Sequence, residues 1–315
     1  MSDLAPIAIF AFSRIDLLAR TLDALEMCEG FRQSPIHIFS DAARENRTGE
    51  VAAVQAVRAK AYEWARRNGA KVHEAPTNQG LRRSITRGVK EILEEYGRAI
   101  VLEDDIVVSK AFLRFSNDAL KAYENRDDIV QVSGYFVPHK RRLPDIGLLR
   151  VPACWGWATW KRAWQYYRDD AHTLLAEIAS TDVEEFDIKG SYQYLNALKR
   201  NVSGELDTWL VRWYASVYLR GGLTVYPSRS LTRNIGFVRG GTNSGPGRMA
   251  KTFNSQPVRR QMPRLDWNSI GGSENPEFAA ALEDFYRWQL RQWTRPTWSE
   301  RARARWNQLT ALRKR

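Results

Sequence analysis

The sequence of 315 residues predicts an α/β fold in which helices flank a mostly parallel sheet. Short apolar runs alternate along the chain with segments of helical periodicity, and short links join them. This alternation is typical of parallel strands connected by helices. The content of 43% apolar and 27% charged residues is that of an ordinary globular chain, which argues against disorder and collagen-like repeats.

The first hundred residues show the alternation most clearly. Apolar runs predict four strands, at 7–12, at 36–39, near 72 and at 99–102. Helical periodicity predicts three helices between them, at 17–25, 51–68 and 84–96. Gly69 and Gly97 follow the second and third helices, where glycine commonly ends a helix.

After residue 130 the pattern weakens. Further strands are expected at 129–133 and 223–226, and helices at 184–200, 207–220, 277–293 and from about 298. Residues 234–263 are rich in Gly, Asn, Ser and Pro, and a stretch of that length without periodicity suggests a functional loop.

The net charge of +12 raises the question of a nucleic-acid partner. Residues 287–315 carry nine Lys and Arg against one acidic residue, whereas residues 1–286 carry 39 basic and 35 acidic residues. The basic character therefore belongs to the C-terminal segment, and the nearly neutral body disfavours nucleic-acid binding.

Two cysteines, Cys28 and Cys154, are too few for a disulfide framework and predict a reducing compartment. No apolar run approaches the ~20 residues that a transmembrane helix needs, and the first residues lack the basic start of a secretory signal. We expect a soluble, cytoplasmic protein.

Polar side chains follow three of the four predicted strands, as Ser13 and Arg14, as Ser40 and Asp41, and as the acidic triplet Glu103, Asp104 and Asp105. Ligands of open α/β sheets bind beyond the carboxyl ends of the strands, so these residues predict the site. Three consecutive carboxylates repel one another, and a divalent cation relieves that repulsion. Oxygen ligands favour Mg²⁺ or Mn²⁺. The alternative is that the acids merely end a strand and cap the next helix.

Eight short segments, in order over residues 7–245, resemble the GT-A glycosyltransferases, and in particular a bacterial group similar to the N-acetylglucosaminyltransferase I family. They are IAIFAFSR (7–14), IHIFSD (36–41), NQGLRRSI (78–85), IVLEDDIVVS (100–109), VSGY (132–135), CWGWATW (154–160), LDTWLVRW (206–213) and LTRNIGF (231–237). The resemblance implies a Rossmann-like GT-A catalytic domain at 1–275, with a nucleotide-binding half at 1–135 and an acceptor half with a flexible loop at 136–275. A basic helical tail at 276–315 follows.

The resemblance also implies roles for the residues at the strand ends. Asp105 would coordinate the metal on the nucleotide diphosphate, and Glu103 and Asp104 would face the ribose and donor sugar. The remaining candidates for binding the nucleotide are Ser13 and Arg14 at the diphosphate, Asp41 at the base, and Asn78, Gly80 and Arg82 in a loop that closes over it. Structural alternatives exist for several of these, since Asp41 could cap a helix, Arg14 could be a surface charge and Gly80 a turn glycine.

A sugar transfer also needs a base for the acceptor hydroxyl, and Asp207 is the candidate. Glu205 is the alternative because the family has two adjacent acids before its tryptophan, where this sequence has Asp207 and Thr208. Asp207 could instead cap the following helix. A single base predicts an inverting reaction.

Sugar-binding candidates are the neighbouring Trp209 and the segment Trp155, Gly156 and Trp157, since aromatic faces stack on sugar rings and glycine admits a ligand to the backbone.

The implied partners are a nucleotide-sugar donor, with UDP favoured, and a glycan or lipid-linked acceptor, with Mn²⁺ or Mg²⁺ as cofactor and no nucleic acid. Arginine and tryptophan in the tail suit an anionic membrane face, which would make the protein peripheral, although these residues could equally pack on the body. Residues 240–243 align with a segment of the family that commonly has Thr-His, and Asn243 departs from that pattern. The alternative functions are a nucleotidyltransferase that makes a nucleotide sugar and, less favoured, a basic nucleic-acid-binding protein.

Overall fold

The computed structural model describes residues 4–237 and 252–294, with side chains up to residue 291. The strands are β1 (Ile7–Ala11), β2 (Ile36–Ser40), β3 (Lys71–Glu74), β4 (Arg98–Glu103), β5 (Ile106–Val108), β6 (Ile129–Ser133), β7 (Ile146–Leu149), β8 (Trp157–Trp160), β9 (Leu223–Pro227) and β10 (Thr232–Asn234). The helices are α1 (Ile15–Glu26), α2 (Glu50–Asn68), α3 (Gly80–Tyr96), α4 (Phe112–Ala122), α5 (Lys161–Trp164), α6 (Ala171–Ala179), α7 (Val183–Phe186), α8 (Tyr194–Val202), α9 (Trp209–Tyr218) and α10 (Pro276–Thr294).

Eight of the strands form one sheet in the order β3-β2-β1-β4-β8-β6-β9-β7. The first four strands are parallel, and β6 and β9 are also parallel. Strand β8 runs antiparallel between β4 and β6, and β7 runs antiparallel at the far edge. Helices flank this sheet and a further helix closes the described chain, so the predicted fold class is confirmed.

The helices of the first half lie on the sheet through the apolar faces that the sequence predicts. Leu18, Leu22 and Leu25 of α1 are fully buried, as are Ile85, Val89 and Ile92 of α3. Gly88 lets α3 approach β1 closely, because a Cβ there would lie 2.6 Å from the Phe10 ring. This packing brings the N-terminus of α3 to the carboxyl ends of β1 and β2.

The second half of the chain forms an aromatic core of its own. Phe186, Tyr194 and Tyr214 pack on one another there, and Phe278 of α10 joins the same cluster through Phe136. Gly147 of β7 admits Phe278, since a Cβ at Gly147 would lie 2.5 Å from its ring atom Cε2. Helix α10 therefore packs on the body of the protein, whereas residues 295–315, with the helix expected from about 298, lie outside the described residues.

The second half also differs from expectation in its elements. The helix expected at 184–200 is two helices, α7 and α8, separated by Ile188, Lys189 and Gly190, which all have positive φ. Strands β5, β7, β8 and β10 and helix α6 were not predicted. No helix in the described ranges has the length and apolar character needed to span a bilayer.

Candidate active site

A cleft of about 880 Å³ opens at the carboxyl ends of β1, β2 and β4 and extends to α10. Ten of the predicted site residues line it, namely Ser13, Arg14, Asp41, Asn78, Gly80, Glu103, Asp104, Asp105, Trp155 and Trp209. These residues come from both halves of the chain. Strand β4 of the first half pairs with β8 of the second half, and Trp155 lies just before β8. The expectation that polar residues at the strand ends lie together is confirmed for Ser13, Arg14, Asp41 and the acidic triplet, and their roles in binding stay predictions.

Arg14 neutralises two of the three acids at the end of β4. Its guanidinium forms an ion pair with Asp104 and a second with Oδ2 of Asp105, at 2.8 Å. The other oxygen of Asp104 accepts a hydrogen bond from the Phe12 amide at 3.3 Å, and Thr21 donates to the Asp104 carbonyl oxygen at 2.9 Å. Asp104 is thus held between β1 and α1, and the arginine lies at the wall of the cleft.

Asp105 is the acid whose contacts are incomplete. Its Oδ1 is buried and has no hydrogen-bond partner among the described residues. Buried polar atoms are nearly always paired, so an unpaired carboxylate oxygen in a cleft is suited to a cation. No group of three or more His, Cys, Asp or Glu among the described residues could hold a metal by itself, so the protein would offer few ligands and leave positions for substrate oxygens.

Burial governs the protonation of the other two acids. It raises the pKa of Glu103 to about 8, and the negative charges of Asp105 and Asp104 add to that shift. Burial also raises the pKa of Asp104 to about 6, against the opposing effect of Arg14. Glu103 and Asp104 thus ionise less readily than exposed carboxylic acids, as expected for carboxyl groups gathered in a low-dielectric site.

Asp41 joins the end of β2 to the start of α3. Its carboxylate is 5% exposed and accepts hydrogen bonds from the amides of Gln79 at 2.8 Å and Gly80 at 2.9 Å. It also accepts from the Ala42 amide and from Nδ2 of Asn78. Asp41 therefore caps α3 from a neighbouring strand, and any role in reading a base would be combined with this structural one.

Asp207 and Arg82 form a separate polar network next to the cleft. Arg82 bridges Asp207 to Asp169, with 2.7 Å from its Nη1 to Asp169 Oδ1. The buried Arg212 lies 3.3 Å from Oδ1 of Asp207 and donates to the Asp169 carbonyl oxygen at 3.0 Å. Asp207 itself is 56% exposed, and its neighbours Leu206 and Thr208 line the cleft. The alternative base, Glu205, is exposed and lies 3.2 Å from Arg200.

The tryptophan segment divides between cleft and core. Trp155 lines the cleft and packs edge-on against Tyr135, with 4.6 Å between ring centroids. Trp157 is 1% exposed and stacks on Trp209 in the core, so its predicted contact with a sugar is wrong in this structure. The prediction for Gly156 needs the same correction. A Cβ at this position would lie 2.8 Å from the Thr232 side chain of β10, so glycine is required there by the packing of the protein itself and not by a ligand.

Sequence reasoning missed a second set of residues that line the cleft. Tyr192, Tyr286 and Gln289 lie there, and so does Phe253. Asp169, which anchors Arg82, was missed as well. None of these has a local motif, although the spacing of Tyr286 and Gln289 on one predicted helix face was a usable signal. The loop residues Gly240, Gly241, Thr242 and Asn243 lie outside the described residues.

Fold and cleft together define an α/β protein that presents a carboxylate and arginine cluster at the carboxyl edge of its parallel strands, where such sheets bind ligands. No known family model matches the sequence, and no curated protein matches it. Among solved structures, the chain is similar to S. aureus TarS.

TarS residues 1–349 cover 72% of this chain and 59% of that chain, at 10% identity and a TM-score of 0.39. The TarS 1–349 complex with UDP covers 44% of this chain and 38% of that chain, at 13% identity and a TM-score of 0.30. A further TarS structure covers 44% of this chain and 23% of that chain, at 13% identity and a TM-score of 0.29. This chain thus spans less than two thirds of each TarS chain, and similarity at this level assigns neither a family nor an activity.

Proposed function

We propose that the chain is a metal-dependent, inverting glycosyltransferase that moves a hexose-type sugar from a nucleotide diphosphate donor, with UDP favoured, to a glycan or lipid-linked acceptor. The buried Oδ1 of Asp105, unpartnered among the described residues and set beside Arg14 in the cleft, is the observation that carries the proposal. The sequence resemblance to GT-A glycosyltransferases supports the same reaction.

On the donor side, Asp105 would hold Mn²⁺ or Mg²⁺ through Oδ1. Such a cation, when bound, neutralises the charge of the departing nucleoside diphosphate. Arg14 adds a positive charge at the same wall of the cleft, and its ion pairs with Asp104 and Asp105 fix the guanidinium there. Glu103 and Asp104 would orient the ribose and the donor sugar.

On the acceptor side, Asp207 is the proposed general base, with Glu205 as the alternative. The described contacts of Asp207 with Arg82 and Arg212 use Oδ1, so Oδ2 is the atom that would take the proton from the acceptor hydroxyl. Attack from the face opposite the nucleotide, assisted by a single carboxylate, inverts the configuration of the sugar.

Calorimetric titration of UDP and several UDP-sugars tests the donor site. The full chain should bind them with Mn²⁺ or Mg²⁺ and lose at least tenfold in affinity with EDTA. Asp105→Asn should show the same loss in the presence of metal, whereas Asp118→Asn, an exposed carboxylate on α4, should bind like the unchanged protein. If Asp105→Asn and the unchanged protein bind UDP with equal affinity in the presence of metal, Asp105 is not the metal ligand.

The products separate this reaction from its alternative. A glycosyltransferase releases free nucleoside diphosphate and leaves an inverted linkage that NMR can read from the anomeric proton. Release of pyrophosphate instead would identify a nucleotidyltransferase that makes a nucleotide sugar.

A further inference from the structure

The cleft has two chemically different halves. Around the strand ends its wall is charged, with Arg14, Asp41, Glu103, Asp104 and Asp105. Toward α10 the wall is mostly aromatic and is formed by uncharged residues, namely Tyr135, Phe136, Trp155, Tyr192, Tyr194, Tyr226, Phe253, Leu282, Tyr286, Gln289 and Leu290. Arg200 of α8 also lines the cleft. A ligand in this second half meets no charge from these residues, which disfavours a phosphate group there.

Gln289 is the unusual residue of the aromatic half. It is 2% exposed, and its Nε2 is buried without a hydrogen-bond partner among the described residues. Leu282, Tyr286 and Gln289 follow one another at helical spacings of four and three residues, so α10 directs them to the same side. A buried amide donor left unpaired costs about 1–3 kcal/mol, and a ligand oxygen in the cleft would satisfy it.

Aromatic rings line the same cleft as this amide. Tyr286 packs on Tyr192 with 4.6 Å between ring centroids, and Phe285, the residue beside it, packs on Phe253 at 5.2 Å. Phe253 in turn meets Trp155 edge-on at 5.1 Å. Rings of this kind offer flat apolar faces to the C–H side of a sugar, while its hydroxyl groups need partners such as an amide.

We propose that the aromatic half of the cleft binds a neutral sugar ring of the acceptor, with Nε2 of Gln289 donating a hydrogen bond to one of its oxygens. This inference rests on the proposed function and names the acceptor class for the same cleft. A hydrocarbon chain fits the site less well because it would bury the Gln289 amide without a partner. An anionic group fits less well because the aromatic residues named above supply no cation, and Arg200 of α8, which also lines the cleft, is exposed and paired with Glu205.

Saturation-transfer NMR with methyl glycosides of glucose, galactose, mannose and N-acetylglucosamine tests the proposal on the full chain. The unchanged protein should transfer saturation to at least one of them, and Gln289→Ala and Gln289→Leu should reduce the transfer severalfold. Arg291→Ala, an exposed change on the same helix, should not.

Thermal unfolding supplies a second readout that needs no ligand. Gln289→Leu removes an unpaired buried donor and keeps a side chain of similar size, so the melting temperature should be unchanged or higher. A large fall in melting temperature would mean that the amide has a structural partner, and the proposal would be wrong.

Titration of UDP in parallel distinguishes the two proposals. If UDP binds but no methyl glycoside does, or if glycoside binding ignores Gln289, the acceptor subsite is overturned and the transferase proposal stands. If a glycoside binds through Gln289 while UDP does not bind, the sugar subsite stands and the transferase proposal fails.

Discussion

Gly236 lies directly over the carboxylate of Asp105. A Cβ at this position would overlap Oδ2 and would lie 2.7 Å from Cγ of Asp105 and 2.9 Å from Nη1 of Arg14. Gly236→Ala should therefore displace the ion pair, destabilise the fold by about 1–3 kcal/mol and weaken metal-dependent UDP binding more than tenfold. Denaturant unfolding and calorimetric titration measure the two effects.

Gly271→Ala is the matched control for this substitution. No described heavy atom lies within 4 Å of a Cβ at Gly271, so stability and UDP binding should stay as in the unchanged protein. If Gly236→Ala binds UDP equally well, the donor site does not depend on the position of the Asp105 carboxylate.

The carboxylate of Asp207 is the proposed acceptor of a proton, so Asp207→Asn should keep UDP-sugar binding and lower turnover by about 10²–10⁴. The amide can still accept a hydrogen bond from Arg82, which preserves much of the network around it. Turnover at saturating donor measures the catalytic effect, and donor affinity measured in parallel shows whether binding is preserved. If Glu205→Gln lowers turnover to this extent and Asp207→Asn does not, Glu205 is the base.

Residues that directly follow an apolar run were the predictable part of the site. Arg14 and Asp105 could be assigned to the cleft because a strand end fixes where its next residues lie. Asp169 could not, because only the packing of segments distant in sequence brings it to Arg82. Gln289 could not, because it reaches the cleft only through the packing of α10 on the body of the protein. Trp157 was misassigned because an aromatic side chain reads alike in the sequence whether it faces a cleft or a core.

His37 on β2 and His73 on β3 form a side-chain contact at the edge of the sheet, and its contribution to stability can be tested by varying the pH. Nδ1 of His37 lies 3.0 Å from Nε2 of His73, and its Nε2 lies 3.3 Å from the hydroxyl of Tyr96 on α3. Burial lowers the pKa of His37 to about 4, and the nearby His73 and Lys71 add to this effect while Glu95 opposes it.

The free energy of unfolding should therefore fall as the pH drops from about 6.5 to about 4. Over that window the unfolded chain binds a proton at this residue and the folded chain does not, which at ~1.4 kcal/mol per pKa unit amounts to roughly 3 kcal/mol. His37→Gln, which does not titrate, should flatten the curve of unfolding free energy against pH. An equally steep fall in His37→Gln would assign the loss to other groups.

At the scale of elements, the sequence predicted the repeating β and α units up to β4 because β1, β2 and β4 contain short apolar runs and each helix has one apolar face. Strand β8 was not predicted because it has only four residues and its apolar run is interrupted by Thr159. Strand β10 has three residues and pairs with β5 from more than 120 positions away, which no local pattern reveals.

At the scale of the whole molecule, the sequence of the basic C-terminal segment predicts contact with a membrane surface. Residues 295–315 carry seven Lys and Arg, one Glu, and Trp298 and Trp306, which suits an anionic membrane face. At ~1 kcal/mol for each cation near such a surface, the full chain should sediment with anionic vesicles at low salt, as a peripheral protein would.

A chain ended after Thr294 should stay in solution in that experiment and still transfer sugar to a soluble acceptor. The cut must not fall earlier, because Gln289 and Leu290 of α10 line the cleft. If the full chain ignores anionic vesicles, the segment does not serve as a membrane anchor.

Each end of the eight-stranded sheet has a strand with one side unpaired within the sheet, and such an edge can recruit a strand from another molecule. Strand β3 is only four residues long and exposes the charged Lys71 and Glu74 at its two ends. On β7, the Asn275 amide donates to the Leu148 carbonyl at 2.8 Å, and Glu274 accepts from the Arg150 amide at 2.9 Å. The segment that leads into α10 thus occupies part of the free edge of β7, which disfavours strand addition and edge-to-edge aggregation there.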